Sequence, residues 1–303
     1  MQFELTILGC SGAIPAYNRH PTSHFLNYNG HGFLIDCGEA TQMQMARFNI
    51  RRAKLDHVFI SHLHGDHFFG LMGLISAFNL NYRENPLNIY GPEGLEEIVL
   101  THFKYSKTKL SYPINFFTTQ DSKKEIILDL PFLTVESFPL YHRIPTTGFL
   151  FREKKGLRKI IPEKIQQYNI PVSEIAAIKL GNDYNDKNGT IVLNKELTKP
   201  PTKPRAYAFC SDTMYSESLV DMVKEVDLLY HEATFKDEHA ARAKDTFHST
   251  TTEAATIAKK AKVKSLIIGH YSARYEDLNE LLQECLTVFP QAQLAEEGSV
   301  YKV

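Results

Sequence analysis

Ser61-His62-Leu63-His64-Gly65-Asp66-His67 constrains this chain more than any other stretch. It follows Asp56-His57-Val58-Phe59-Ile60, a short apolar run that reads as a buried strand ending where the histidines begin. Three imidazoles and a carboxylate so close together are poor core chemistry, because each polar group would need a partner to be buried. They suit metal binding, since neutral imidazole and carboxylate supply the nitrogen and oxygen ligands that zinc prefers. The alternating His62 and His64 could face one ion while Asp66 and His67 turn towards a second, with Gly65 letting the loop bend that tightly. The competing reading is an exposed polar turn, and the surrounding chain decides between the two.

That surrounding chain alternates strands with helices, which indicates an α/β layering. Strands are expected at residues 3–8, 24–28 and 32–36, the last two joined by the turn pair Asn29-Gly30. A helix at 39–48 precedes the strand at 56–60; an apolar helix at 68–80, a strand at 87–90 and a helix at 95–105 follow. Residues 114–151 are strand-rich, and alternation returns with strands at 206–210, 228–230 and 265–268 and helices at 217–224, 251–262 and 277–289. Two similar halves facing each other are the expected result. Between them, residues 152–204 differ in character: polar, basic at the start, with helical candidates at 162–168 and 172–180.

Three more candidate ligands stand where apolar strands end. His142 closes the run 134–141, His270 closes Leu266-Ile267-Ile268-Gly269, and Asp212 follows Tyr207-Ala208-Phe209-Cys210-Ser211. Strand ends along one sheet edge are where α/β proteins collect their sites. A strand-end histidine is ordinarily structural; beside the cluster it reads as a ligand.

At 303 residues the chain could be one large domain or two, and it is long enough to bury a substantial core. A net charge of −1 announces no nucleic-acid partner, so any polyanion would be met by local patches. The four scattered cysteines, with no CxxC pair, argue against a disulfide framework and a cysteine zinc site, and favour reduced thiols. The start Met1-Gln2-Phe3-Glu4-Leu5 lacks the basic, apolar pattern of a signal peptide, and no stretch approaches the roughly 20 apolar residues of a membrane span. A cytoplasmic protein without a membrane partner is expected.

Taken together, His62, His64, Asp66, His67, His142, Asp212 and His270 resemble, in order and context, the ligand set of the metallo-β-lactamase fold. That fold is an α/β, αββα four-layer sandwich with a two-metal site. The resemblance implies one metal on His62, His64 and His142, a second on Asp66, His67 and His270, and Asp212 bridging. It narrows to the ribonuclease Z family, endonucleases that mature tRNA 3′ ends, through Asp36-Cys37-Gly38-Glu39-Ala40-Thr41-Gln42, Ser211-Asp212-Thr213, His231-Glu232-Ala233-Thr234, His248-Ser249-Thr250 and the stretch 269–275. The opening Leu8-Gly9, Gly12 and Pro15 fit too, so the likeness covers nearly the whole chain. It implies a single domain over 1–303 with an inserted flexible arm at about 152–204, two zinc ions per subunit with manganese or other divalent ions open, a precursor tRNA substrate, and a homodimer in which one subunit's arm serves the other's active site. Two divalent ions about 3.5–4 Å apart can hold a hydroxide nucleophile and stabilise both attacking and leaving oxygens of a phosphodiester. The implied products are a 3′-hydroxyl on the tRNA and a 5′-phosphate on the trailer, with Asp66 also accepting the proton of the attacking water.

Beyond this set, His248 precedes Thr250-Thr251-Thr252-Glu253, a capping box that opens a helix whose amide donors favour a nearby phosphate. The resemblance puts His248 at the scissile phosphate as a general acid or charge stabiliser; the alternative is a surface residue beside a cap. His231 and Glu232 are either catalytic or struts that orient a ligand. Arg274 either meets a substrate phosphate or is solvated, and Gly9-Cys10-Ser11-Gly12 is a phosphate loop or simply a tight turn. Arg152, Lys154, Lys155, Arg158, Lys159 and Lys164 outnumber Glu153 and Glu163 at the base of the insertion, which suits backbone phosphates read by shape. The insertion departs from the family pattern: Ile170-Pro171 is not followed by Gly-Pro, and Glu174 adds a negative charge. Three other classes compete: a small-molecule phosphodiesterase or a lactone or thioester hydrolase, which should lack a basic arm; a di-iron redox protein, which usually has Glu where His64 stands; and a non-catalytic RNA binder, expected to have lost ligands.

Overall fold

A computed structural model describes residues 2–187 and 189–303. Met1, the first residue of the stretch read for a leader, and Asn188, within the insertion, lie outside the described residues. The chain divides into two compact units.

The larger unit, Met1–Asp129, Val135–Phe151 and Ala206–Val303, contains two seven-stranded sheets. The first runs in the order Val300–Lys302, Phe3–Gly9, Ser23–Tyr28, His31–Ile35, Leu55–Phe59, Leu87–Gly91, Ile114–Thr118. Its early strands are antiparallel, and the hairpin turns on Asn29 (φ 48°) and Gly30 (φ 89°), the left-handed pair that a two-residue turn demands. From His31–Ile35 onwards its pairing is parallel, so each connection crosses over through a helix: Thr41–Arg47, Gly70–Leu80 and Leu95–Tyr105. Leu71, Leu74, Ile75 and Phe78 fall at helical spacing on one face, and with Met45, Val99 and Phe103 they bury that face against the sheet.

The second sheet is ordered Ala292–Leu294, Ser265–Gly269, Leu228–Glu232, Ala206–Cys210, Thr147–Glu153, Leu133–Pro139, Glu125–Asp129, the first four strands being parallel. Helices Ser218–Met222, Thr251–Lys260 and Asn279–Val288 cover it with Leu219, Ile257, Leu281 and Cys285. The helix at Thr251–Lys260 starts at the expected capping box: Thr250 Oγ1 accepts from the Glu253 amide, and Glu253 accepts from the Thr250 amide at 2.8 Å. Between the sheets lies a layer of rings. Phe59 is 5.4 Å from Phe149 and 5.3 Å from Phe151, and Phe151 is 5.8 Å from Phe33. The four layers are therefore helix, sheet, sheet, helix, as the α/β, αββα expectation has it.

Several elements differ from their sequence reading. The apolar stretch 68–80 is two helices, Gly65–Phe68 and Gly70–Leu80, because the Gly70 amide leaves the helical ladder to donate to the Cys37 carbonyl at 2.9 Å. Gly65 lies inside the first of these helices and needs no unusual bend; its lack of a side chain makes room for the Phe69 ring, which a Cβ would meet at 2.2 Å. The helix Ala240–Thr246 and the three-residue strands near the C-terminus went unread.

The smaller unit, Leu130–Thr134 with Arg152–Arg205, has a core of its own made of Ile170, Ile178, Tyr184, Val192 and Leu197. Helices Pro162–Gln167 and Val172–Leu180 match their expected places, and Asn194–Leu197 adds a third. Its two ends are joined by Glu153, whose carboxylate accepts from the Arg205 amide at 2.7 Å and from its guanidinium at 2.8 Å. All four cysteines are free and buried, and no helix among the described residues is long and apolar enough to cross a membrane.

Candidate metal centre

The centre is assembled where parallel strands stop. Leu55–Phe59 runs into Ser61–His67, Ala206–Cys210 into Asp212, Leu228–Glu232 ends at Glu232, and Ser265–Gly269 delivers His270. His270 (φ 61°) and Asp36 (φ 55°) both hold left-handed backbone, an unfavourable conformation kept at positions that aim side chains inward. The Gly-rich turn after the first strand belongs here as well. A Cβ on Gly12 would sit 2.7 Å from the His270 ring, and the Ala13 amide donates to Asp66 Oδ2 at 2.8 Å. In the structure this turn touches the side chains of the site.

His62, His64, His142 and Asp212 form one donor group, and Asp66, His67 and His270 a second; within each, the donor atoms lie within 4.8 Å of one another. In the first, His64 Nδ1 is 3.0 Å from His62 Nε2 and 3.3 Å from His142 Nε2. In the second, Asp66 Oδ2 is 3.4 Å from both His67 Nε2 and His270 Nε2. Asp212 touches both: Oδ2 is 3.6 Å from His62 and 3.8 Å from His142, while Oδ1 is 3.4 Å from His67 and 3.2 Å from His270.

The partners on the far side of each ring fix which nitrogen faces inward. The Nδ1 atoms of His67, His142 and His270 donate to Asp36 Oδ2 at 2.7 Å, the Phe247 carbonyl at 2.9 Å and Thr234 Oγ1 at 2.8 Å. Ser61 Oγ lies 2.9 Å from His62 Nδ1 and itself donates to Asp36 Oδ2 at 2.9 Å. Four Nε2 atoms therefore face the centre, the arrangement by which proteins orient imidazole ligands. Asp36, fully buried, also accepts the Ser61 amide at 2.8 Å, so one carboxylate holds the start of the histidine loop and His67 together.

The residues present fit a metal. His67 Nε2 and Asp212 Oδ1 are buried without a hydrogen-bond partner, a costly condition that a cation between the donor atoms relieves. Burial pushes His62, His64 and His142 down towards the neutral form that ligates. Burial also pulls on His67, but the carboxylates of Asp212, Asp66 and Asp36 outweigh it and hold that imidazole up. Burial would raise Asp66 and Asp212, yet the surrounding imidazoles hold both well below the usual carboxylate range. Such a cluster calls for positive charge, and a divalent ion meets that need while displacing the proton.

His248 and Glu232 form a second layer beside these groups. Glu232, fully buried, accepts from the Thr213, Ser249 and Thr234 amides, from Thr234 Oγ1 and from His248 Nδ1 at 2.8 Å. Burial lowers His248, but Glu232 and then Asp212 overcome it and raise the imidazole to about 9. Asp212, His248 and His270 also bring donor atoms within 4.8 Å of one another, with the Nδ1 of His248 engaged by Glu232. Between the two roles open to it, Glu232 thus has the contacts of a strut. His231 faces elsewhere: its Nδ1 donates to the Glu232 carbonyl at 2.7 Å, and it belongs to none of the donor groups.

Two depressions adjoin the cluster. One, of about 500 Å³, includes Pro15, Glu39, His64, Asp66 and Phe69. The other, of about 490 Å³, includes Thr234, Phe235, Arg242 and Arg274, with Arg274 lying 5.8 Å over the Phe235 ring. Arg143, His248 and His270 border both. Sequence reasoning gave no role to Asp36, Ser61, Thr234 and Arg143, although the first three stand inside motifs it quotes; the strand-end position of Asp36, like that of Asp212, was a usable signal.

Comparison with known proteins follows the same line. A family model described as Anti-Pycsar protein Apyc1 matches residues 3–154, which hold the histidine loop and His142 but neither Asp212 nor His270. The ribonuclease Z of Phocaeicola vulgatus is 48% identical over 296 residues, 98% of this chain and 96% of that protein. That of Bacteroides fragilis is 45% identical over 297 residues, 98% of each. Among solved structures, human tRNase Z, short form, superposes with a TM-score of 0.71 at 27% identity, covering 99% of both chains. The metallo-β-lactamase fold protein YhfI of Bacillus subtilis matches in fold, with a TM-score of 0.70 at 20% identity and full coverage of both. Likeness of that extent, on the metallo-β-lactamase fold and with the metal-ligand pattern in place, means that this chain belongs to the ribonuclease Z family of enzymes.

Proposed function

We propose that the chain is a zinc-dependent endoribonuclease that removes the 3′ trailer from precursor tRNA, leaving a 3′-hydroxyl on the tRNA and a 5′-phosphate on the trailer. The observation that carries this reading is Asp212, whose two oxygens face two different groups of imidazoles. His62, His64 and His142 would hold one ion, Asp66, His67 and His270 the other, and Asp212 would bridge them. Two bound divalent ions supply Lewis-acid stabilisation of the attacking and leaving oxygens of a phosphodiester.

The chain's own groups supply the proton transfers. Asp66, fixed by the Ala13 amide, accepts the proton of the attacking water. His248 hands a proton to the departing 3′-oxygen, held in place by Glu232 on its other nitrogen. Arg274 meets a flanking phosphate, while His231 supports the strand end.

The insertion supplies the hold on the body of the RNA. Residues 152–205 carry twelve lysines and arginines against six carboxylates, in a chain whose net charge is −1. That surplus suits phosphate contacts that position without reading sequence. The reading includes a cytoplasmic homodimer in which the arm of one subunit grips the tRNA cut by the other. Metal content, measured with cleavage of precursor tRNA and of a small phosphodiester, tests the proposal. Two ions per chain with efficient cleavage of precursor tRNA are expected; metal-free protein that still cleaves, or cleavage of small diesters alone, would overturn it.

A further inference from the structure

We infer that Arg143 is a catalytic residue whose guanidinium grips the non-bridging oxygens of the scissile phosphodiester. The inference rests on the phosphodiesterase reading above and adds a residue to it.

Arg143 is exposed and makes no hydrogen bond or ion pair among the described residues. It borders both depressions beside the metal cluster, while Arg242 and Arg274 border only one. A phosphodiester lying across the cluster, with a flanking nucleotide in each depression, would place its phosphorus beside Arg143.

The backbone that carries it is fixed from two sides. The Tyr141 amide donates to Thr213 Oγ1 at 3.0 Å and the Met214 amide to the Tyr141 carbonyl at 2.8 Å, which ties the segment to the neighbours of Asp212. His142 Nδ1 donates to the Phe247 carbonyl, which ties it to the neighbour of His248. Arg143 is thus a free cation whose backbone is braced between two site residues.

The chemistry needs such a group. As the bond from water oxygen to phosphorus forms, the bond from phosphorus to the 3′-oxygen breaks, and the electron pair leaves with that oxygen. Asp66 receives the water proton and His248 gives one to the leaving oxygen, so negative charge gathers on the two non-bridging oxygens. A planar guanidinium matches that pair with parallel N–H donors; an ammonium meets it only as a point charge.

The test uses full-length Arg143→Ala and Arg143→Lys with bis(p-nitrophenyl) phosphate, precursor tRNA and metal analysis. Arg143→Ala should lower kcat on both substrates by about 100-fold, the order seen when one preorganised donor is removed. Metal content should stay at the wild-type level and affinity for inorganic phosphate should fall. Arg143→Lys should recover part of the rate, and low guanidinium chloride should partly rescue the alanine variant but leave the wild type unaffected. Wild-type turnover of the small diester by Arg143→Ala, loss of its metal, or a rise in KM alone would overturn the inference. Wild-type protein that cleaves neither substrate would instead refute the functional reading on which it stands.

Discussion

Asp212 gives one oxygen to His62 and His142 and the other to His67 and His270, so its removal unsettles both donor groups at once. Asp212→Ala is expected to abolish cleavage and to lower bound metal, read by elemental analysis beside a cleavage assay; a variant with two ions and normal turnover would refute the bridge. The proposed mechanism puts His248 outside the ligand set. His248→Ala should therefore cost about 10²–10⁴ in rate with its metals retained. Loss of metal in that variant would make His248 a ligand. At this scale the donors were legible because His142, Asp212 and His270 end apolar strands in a chain that also carries the histidine cluster, and that combination, not a strand end alone, marks a site. Asp36 was not, because it works through Ser61 and His67, and only the fold brings those three together. Arg143 was hidden for the opposite reason: an arginine next to a ligand is ordinary until it is found without a protein partner.

The insertion was legible as a departure in composition, and its two main helices fell where their patterns put them. Its own core was not, because Ile170, Ile178, Tyr184, Val192 and Leu197 are spread over turns and two-residue ladders that leave no periodic signal. The joined ends at Glu153 and Arg205 mean that a short turn can replace what lies between them. A protein shortened in this way should lose most cleavage of precursor tRNA yet keep hydrolysis of a small diester. Its slope of log affinity against log salt should become shallower by about 0.7–0.9 for each phosphate that the arm no longer neutralises. Equal losses on both substrates, in a protein still folded and holding metal, would sink the clamp. The split of residues 68–80 shows the limit of periodicity: the helix breaks at Phe69, where the Gly70 amide bonds the Cys37 carbonyl.

Across the whole molecule, alternation of strands and helices conveyed the layers because crossover connections force parallel strands and one buried helical face. The aromatic layer between the sheets was less visible, since Phe33, Phe59, Phe149 and Phe151 come from three distant stretches. The metal centre draws on both sheets, so ion binding and stability should be linked. Chelation should lower the melting temperature, with the stabilisation following RT ln(1 + [L]/Kd) and amounting to about 2.7 kcal/mol at a free-ion concentration 100 times Kd. An unchanged melting temperature after complete removal of metal would argue that the donor groups are already satisfied without it.

The central claim is that the paired donor groups cut the phosphodiester joining a tRNA to its 3′ trailer. Its most direct test is to incubate the purified protein with a precursor tRNA bearing a 3′ trailer, with and without chelator, and to map both new ends. The account predicts one cut at the tRNA 3′ end, a 3′-hydroxyl on the tRNA, a 5′-phosphate on the trailer, and no product once metal is removed. A 3′-phosphate on the tRNA, stepwise shortening of the trailer, or undiminished cleavage in metal-free protein would contradict it.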